Sequence, residues 1–284
     1  MGQIIDGKQI SATVKGEVAR EVKKLNDKGI IATLAVVLVG DDPASQIYVR
    51  NKEKACADVG IVSQKYLLSA QTSQKELLDL IVTLNNDKTV NGILVQMPLP
   101  KGLDEKAVIE TICPEKDVDA FHPVNVGKIM ICDYDFLPCT PAGVMELIHS
   151  TGVSVEGKDC VVIGRSNIVG KPMSMLLLHE SATVTICHSR TKNLKQICSG
   201  ADLIVSAVGK AGLVTADMVK DGAIVIDVGM NRDQDGKLCG DVCFDEVAPK
   251  ASFITPVPGG VGPMTIAMLM IITLTATCLQ NGIC

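Results

Sequence analysis

The sequence predicts an α/β fold of two domains, each built on a parallel sheet with helices on its faces. Three observations carry this. Continuous Val- and Ile-rich runs of strand length, such as ATLAVVLVG (32–40) and DCVVIG (159–164), have the character of strands buried on both faces. Helix-patterned stretches separate them, which is the βαβ rhythm of a parallel sheet. Prolines 98, 100, 114, 123, 138 and 141 crowd one region, marking loops and a crossing between domains. The division is expected at 1–140 and 141–263, with a last helix at about 264–284 packing back on the first domain.

The elements follow in order. Residues 8–28 are charged and helix-like, and 32–40 form a strand ended by Gly40. After the turn Gly-Asp-Asp-Pro, residues 45–60 read as a helix with Ser45 as N-cap and Gly60 as its stop. A short strand near 62–68, a helix at 73–86 opened by Ser73, and a strand at 90–100 complete the first domain. Residues 141–152 are a helix with Pro141 in its first turn and Gly152 at its end. The second domain repeats the rhythm, with strands at 159–164, 182–189, 202–209 and 223–229, and helices at 172–180, 191–199 and 215–220. Residues 251–263 are a short strand and a Gly/Pro loop.

Composition narrows the function. Twenty-seven basic and 32 acidic residues leave a net charge of −5, with no basic footprint for nucleic acid and no polybasic membrane patch. Three Tyr, four Phe and no Trp imply an aliphatic core. Eleven cysteines, odd in number and without a CxxC pair, read as reduced thiols in a reducing compartment, here the cytoplasm. Cys239 and Cys243 are four apart but lack further ligands, so no metal site is expected. The N-terminus has no apolar signal core. The apolar run from Met264 to Leu279 is short for a span of about 20 residues, carries four Thr and has no basic flank, which favours a buried helix.

One stretch carries binding chemistry. The strand DCVVIG runs into GRSNIVGKP and a helix, so backbone N–H groups and a helix N-terminus point where a pyrophosphate can sit. The pattern, with Gly164 and Gly170, is not a strict G-x-G-x-x-G, and a tight strand-to-helix turn without a ligand has the same glycines. The end of the next strand sharpens the choice. An NAD site puts an acid there; this chain has His188-Ser189-Arg190-Thr191, and Arg165 stands in the first turn. Arg and Ser can bind a 2′-phosphate that a carboxylate would repel, which points to NADP. Solvated surface arginines are the alternative.

Tyr48 and Lys52 are four apart and share a helix face. Gln96 ends the strand GILVQMP, and Asp119 lies in a Pro-flanked loop. Each has an ordinary reading alone: a solvated helix face, a strand end, a turn former.

Taken together, Ser45–Lys52, Val95–Pro100, Lys116–Asp119, Pro138–Pro141, Val162–Pro172, Ile226–Gly229 and Thr255–Thr265 resemble the bifunctional methylenetetrahydrofolate dehydrogenase/methenyltetrahydrofolate cyclohydrolases over nearly the whole chain. The departure is Ala120, where that family usually has Gly. The resemblance implies an N-terminal catalytic domain, a C-terminal Rossmann-like NADP-binding domain, a cleft between them, and a homodimer. It implies oxidation of methylenetetrahydrofolate with NADP⁺, then hydrolysis of the methenyl cation to 10-formyltetrahydrofolate. Lys52, Tyr48 and Gln96 are the implied catalytic residues. These three bind folate together with Asp119, Pro258 and Gly259. Gly164, Arg165, Ser166, Ser189, Arg190 and Met230 are implied to hold the cofactor. To act as a base Lys52 has to lose its proton, which a cationic substrate and a partly dry cleft favour. A monofunctional dehydrogenase is the alternative enzyme. A non-catalytic NADP sensor is the alternative of another class, but it has no use for Lys52, Gln96 and Asp119 together.

Overall fold

The computed structural model describes residues 2–283. The first half of the chain contains β1 (Gln3–Ile4), α1 (Gly7–Asn26), β2 (Thr33–Val39), α2 (Pro43–Val59), β3 (Val62–Leu68), α3 (Gln74–Asn86), β4 (Gly92–Val95), α4 (Glu105–Thr111) and α5 (Pro123–Met130). Then come α6 (Cys139–His149), β5 (Asp159–Ile163), α7 (Gly170–His179), β6 (Thr183–Cys187), α8 (Leu194–Cys198), β7 (Leu203–Ser206) and β8 (Ile224–Asp227). The chain closes with β9 (Asn231–Arg232), β10 (Leu238–Cys239), α9 (Phe244–Val247), β11 (Phe253–Ile254) and α10 (Val261–Gln280).

Two compact units result. One comprises residues 12–139 with 266–283, the other residues 2–11 with 140–265. The first holds a parallel sheet of order β3-β2-β4. Every residue of β2 is buried, as its unbroken apolar run requires of a central strand. Its core forms where Val37 and Val39 of β2 and Ile93 and Val95 of β4 meet Leu77, Ile81 and Leu84 of α3. The second unit holds a parallel sheet of order β1-β11-β8-β7-β5-β6. Sequential strands lie to either side of β5, so the order reverses between β5 and β7, the place where such sheets bind ligands at their carboxyl ends.

Several elements differ from the sequence reading. The N-cap of α2 is Asp42, not Ser45: its carboxylate accepts from the Ser45 N–H at 2.7 Å, and Pro43 fills the first turn, where its missing N–H is harmless. Gly60 does end that helix, at φ 83° in the left-handed region. The strand expected over 90–100 is confined to Gly92–Val95, because the prolines beyond cannot donate to a ladder. The proline-rich region is not all loop: α4 and α5 lie in it, each opened by a side-chain cap, Asp104 and His122. The helix expected at 215–220 is a single 3₁₀ turn, Ala216–Met218. Residues 2–11 do not lie with the first unit, because β1 pairs with β11.

The last helix begins earlier than expected, at Val261. By length and composition α10 could cross a membrane, yet 56% of its apolar window is buried inside the protein. Thr273 and Thr277 are fully buried, with their hydroxyls donating to backbone carbonyls one turn earlier. At its end Gln280 donates to the carbonyls of Asn91 and Glu115.

Candidate active site

In the three-stranded unit, α2 carries Tyr48 and Lys52 on one face, and Gln96 follows the carboxyl end of β4. Lys52 Nζ donates to Gln96 Oε1 at 3.0 Å. Gln96 Nε2 donates to the Met97 carbonyl at 2.7 Å, so its amide nitrogen is occupied and its oxygen is the atom left for the lysine. The Gln96 backbone N–H in turn donates to Val37 of β2 at 2.9 Å, fixing the residue to the central strand.

Asp119 stands in the loop after a 3₁₀ turn, Pro114–Lys116. It keeps part of its surface open, yet its carboxyl loses enough solvation for its pKa to be pushed up to about 6; the nearby Lys52 ammonium acts against that rise. The loop is held by a residue of the Lys116–Asp119 motif to which the sequence reading assigned no role of its own. Asp117 is 2% exposed and accepts from the His122 N–H at 2.8 Å and Asn125 Nδ2 at 2.9 Å. Burial raises its pKa, and these donors oppose the rise. Lys116 ties the same loop to α3 by donating to the carbonyls of Leu84 and Asp87. Cys139, also buried, lies within electrostatic reach of Asp119 and Lys52, and burial pushes its thiol pKa well up. Tyr48 is 37% exposed, with its phenol pKa raised by the burial of the remainder.

In the six-stranded unit, β5 runs through Gly164, Arg165 and Ser166 into α7. The glycines are sterically required. Gly164 has φ 135°, and a Cβ on it would lie 2.5 Å from the Ala207 carbonyl oxygen. A Cβ on Gly170 would strike the Gly164 carbonyl and lie 2.7 Å from the Arg165 nitrogen. Ser166 Oγ accepts from the N–H groups of Val169 and Gly170 at 3.1 and 3.3 Å, and so organises the start of α7. Arg165 is exposed. Ser189 and Arg190 are exposed in a turn after β6, closed by the Thr191 N–H on the His188 carbonyl at 2.8 Å. Met230 follows β8 and is 49% exposed. The cradle therefore suits a dinucleotide: a backbone with no Cβ at its two closest approaches, a helix N-terminus, and a basic, acid-free edge at the second strand.

Pro258 and Gly259 lie in the turn between β11 and α10, with Gly259 at φ 111° and a cis peptide between Val257 and Pro258. The sequence reading also missed a buried pair of acids beside the cradle. Asp227 ends β8 and Asp241 follows β10; they are 3% and 0% exposed. Burial pushes the Asp227 pKa up to about 6 against three backbone donors. The signal was a glycine beside each acid, Asp227-Val228-Gly229 and Gly240-Asp241, because a side chain at either glycine would strike the opposite carboxyl group. Among the described residues no group of three or more His, Cys, Asp or Glu comes together as a metal-ligand set.

Comparison with known proteins agrees over nearly the whole chain. Residues 5–119 match the catalytic domain of the tetrahydrofolate dehydrogenase/cyclohydrolase family, and residues 138–281 match its NAD(P)-binding domain. The chain is 58% identical over 270 residues to the bifunctional protein FolD of Agathobacter rectalis, covering 95% of this chain and 97% of that one. The crystal structure of the bifunctional FolD dehydrogenase/cyclohydrolase of Campylobacter jejuni superposes with a TM-score of 0.96 at 52% identity, covering 98% and 99% of the two chains. The Trypanosoma brucei methylenetetrahydrofolate dehydrogenase-cyclohydrolase, solved with NADP and an inhibitor, gives 0.95 at 40% identity, covering 99% and 98%.

Proposed function

The chain belongs to the tetrahydrofolate dehydrogenase/cyclohydrolase family, and from that premise we propose that Lys52, held by Gln96, manages the proton of its hydrolytic step. The protein is a bifunctional enzyme. It oxidises 5,10-methylenetetrahydrofolate with NADP⁺ and hydrolyses the resulting methenyl cation to 10-formyltetrahydrofolate. The observation that carries the assignment is the 3.0 Å bond from Lys52 Nζ to Gln96 Oε1.

The two steps ask different things of the protein. When bound, NADP⁺ supplies the acceptor for the hydride of the methylene carbon, so the chain's own residues need only bind and orient. Gly164, Ser166 and the start of α7 would hold the pyrophosphate, Arg165, Ser189 and Arg190 would read the 2′-phosphate, and Met230 would contact the nicotinamide half. On the folate side Tyr48 stacks on the substrate, Asp119 accepts from the pterin amino and ring N–H groups, and Pro258 and Gly259 complete the binding surface.

Hydrolysis is where a side chain must act. Water oxygen bonds to the methenyl carbon and loses one proton; the bond from that carbon to N5 then breaks as N5 is protonated, and the carbinol hydroxyl releases its remaining proton to solvent, leaving the neutral formyl group on N10. Lys52, as the free amine, orients the water, takes up its proton and returns it to N5, and Gln96 restricts the amine to one direction. The enzyme works in the cytoplasm as a homodimer on a small-molecule folate, without a metal.

The test is Lys52→Met, which keeps the chain length and removes the amine. Direct assay of methenyltetrahydrofolate hydrolysis should fall by about 10²–10⁴-fold, the usual contribution of a positioned acid/base group. Dehydrogenase activity should remain measurable, so the methenyl compound accumulates. Hydrolysis near the parent rate would return Lys52 to the ordinary role of a helix-face lysine.

A further inference from the structure

We propose that Asp241 is a positioning residue for the cofactor, fixing the backbone against which the nicotinamide half of the dinucleotide lies. This rests on the dinucleotide site proposed above. Asp241 is wholly buried and has no place in the binding or proton chemistry already described. Its carboxylate gathers five donors. Oδ2 accepts from Ser206 Oγ at 3.1 Å, the Val208 N–H at 2.8 Å and the Gly209 N–H at 3.3 Å. Oδ1 accepts from the Lys210 N–H at 2.8 Å and Asn231 Nδ2 at 3.0 Å.

Four of these donors come from the end of β7 and the segment that follows it, and the fifth, Asn231, opens β9 just beyond the end of the neighbouring β8. The strand order places them on the far side of β5 from β6. In the proposed site the pyrophosphate would be held at the end of β5 and the adenosine ribose at the end of β6, so the strand order would bring the nicotinamide half to the ends of β7 and β8. The segment after β7 abuts the pyrophosphate turn directly: Ala207 donates its N–H to the Ile163 carbonyl at 2.8 Å, and its own carbonyl is the atom that excludes a side chain at Gly164.

Three successive backbone N–H groups, those of Val208, Gly209 and Lys210, thus turn inward onto one carboxylate. Their side-chain faces are left exposed, as is Met230 after β8. Asp227 locks Asp241 from behind: its carboxylate accepts from the N–H groups of Asp241, Val242 and Gly229, each at 2.9 Å. The two acids form a rigid brace, and the brace sets the height of the loop at which hydride transfer is aligned.

Asp241→Asn tests this, because its amide nitrogen must face donors at one of the two former oxygen positions. Binding is read by NADPH fluorescence, and cyclohydrolase activity is assayed on methenyltetrahydrofolate without any dinucleotide. NADPH affinity should weaken by about tenfold or more, the cost of one lost and one opposed hydrogen bond, while dinucleotide-free hydrolysis stays within about twofold of the parent. Asn231→Ala, which removes one partly exposed donor, should weaken NADPH in the same sense by less. An Asn variant with parent affinity for NADPH, or one in which hydrolysis falls in parallel with binding, would overturn the assignment. A parent protein that fails to bind NADPH would instead remove the dinucleotide site itself.

Discussion

A carboxylate that accepts hydrogen bonds does so fully only while ionised, and Asp119 is poised near that limit, with its pKa pushed up to about 6 by burial beside Lys52. As pH falls through 6 the carboxyl takes a proton and loses acceptor capacity, which by the proposed role of Asp119 weakens its hold on the pterin. The KM for methylenetetrahydrofolate should therefore rise below about pH 6 in the parent, and Asp119→Asn should lack that break. Stability responds with the opposite sign. The folded-state pKa lies above the ordinary value of 3.8, so the folded protein binds this proton more readily than the unfolded chain, and the contribution of Asp119 to stability improves as pH falls through 6. A pH-rate profile of both enzymes, with thermal melts alongside, separates the two effects. The neighbouring Ala120 is fully buried at φ 55°, a conformation that crowds an L side chain by about 1–2 kcal/mol and gives a physical reason for the glycine that the family resemblance leads one to expect there. Its N–H on the Asp117 carbonyl at 3.1 Å and the bonds of Asp117 to His122 and Asn125 hold it there.

At the scale of an element, the unit we assign to choosing the cofactor is β5, its turn and α7, together with the end of β6. The turn lacks Cβ atoms at its two tightest points, so a phosphate can approach the backbone, and Arg165 projects from it exposed. Nothing acidic stands at the end of β6 to hold ribose hydroxyls. Arg165→Ala should weaken NADP⁺ by about ten- to a hundredfold, corresponding to about 1.5–3 kcal/mol for a charge-assisted hydrogen bond, and leave NAD⁺ much less affected. Equal losses for the two cofactors in parallel titrations would move 2′-phosphate recognition elsewhere. The same scale explains α2. Asp42 and Pro43 start it one turn earlier than Ser45 would, so Tyr48 sits in the second turn and not in a frayed first one.

For the molecule as a whole, the residues assigned to proton handling and those assigned to the dinucleotide belong to different units. Tyr48, Lys52, Gln96 and Asp119 are carried by the three-stranded unit, and Gly164, Arg165, Ser166, Ser189, Arg190 and Met230 by the six-stranded one. The two activities therefore offer an internal control for each other. Lys52→Met and Asp241→Asn are expected to damage opposite activities, whereas a change that merely loosens the fold damages both.

By itself the sequence determined the fold class, the strand–turn–helix at Gly164–Gly170 and the preference for NADP. These depend on local patterns: unbroken apolar runs for buried parallel strands, glycines where a backbone must be approached, and the absence of an acid at one strand end. It also determined which residues to suspect, because Tyr48, Lys52, Gln96 and Asp119 match a family motif in order. What it could not hold was anything set by residues far apart in the chain. The pairing of β1 with β11 joins segments some 250 residues apart, and two-residue strands have no periodicity to read. The turn of Gln96 toward Lys52, 44 residues away, follows from the Met97 carbonyl taking its amide nitrogen. Asp241 looks like an ordinary surface acid in a Gly-rich loop. Only the tertiary structure removes it from water and surrounds it with donors from residues 206–210 and 231. A buried charge has to find such partners, and where it finds them is decided by the packing of the whole sheet.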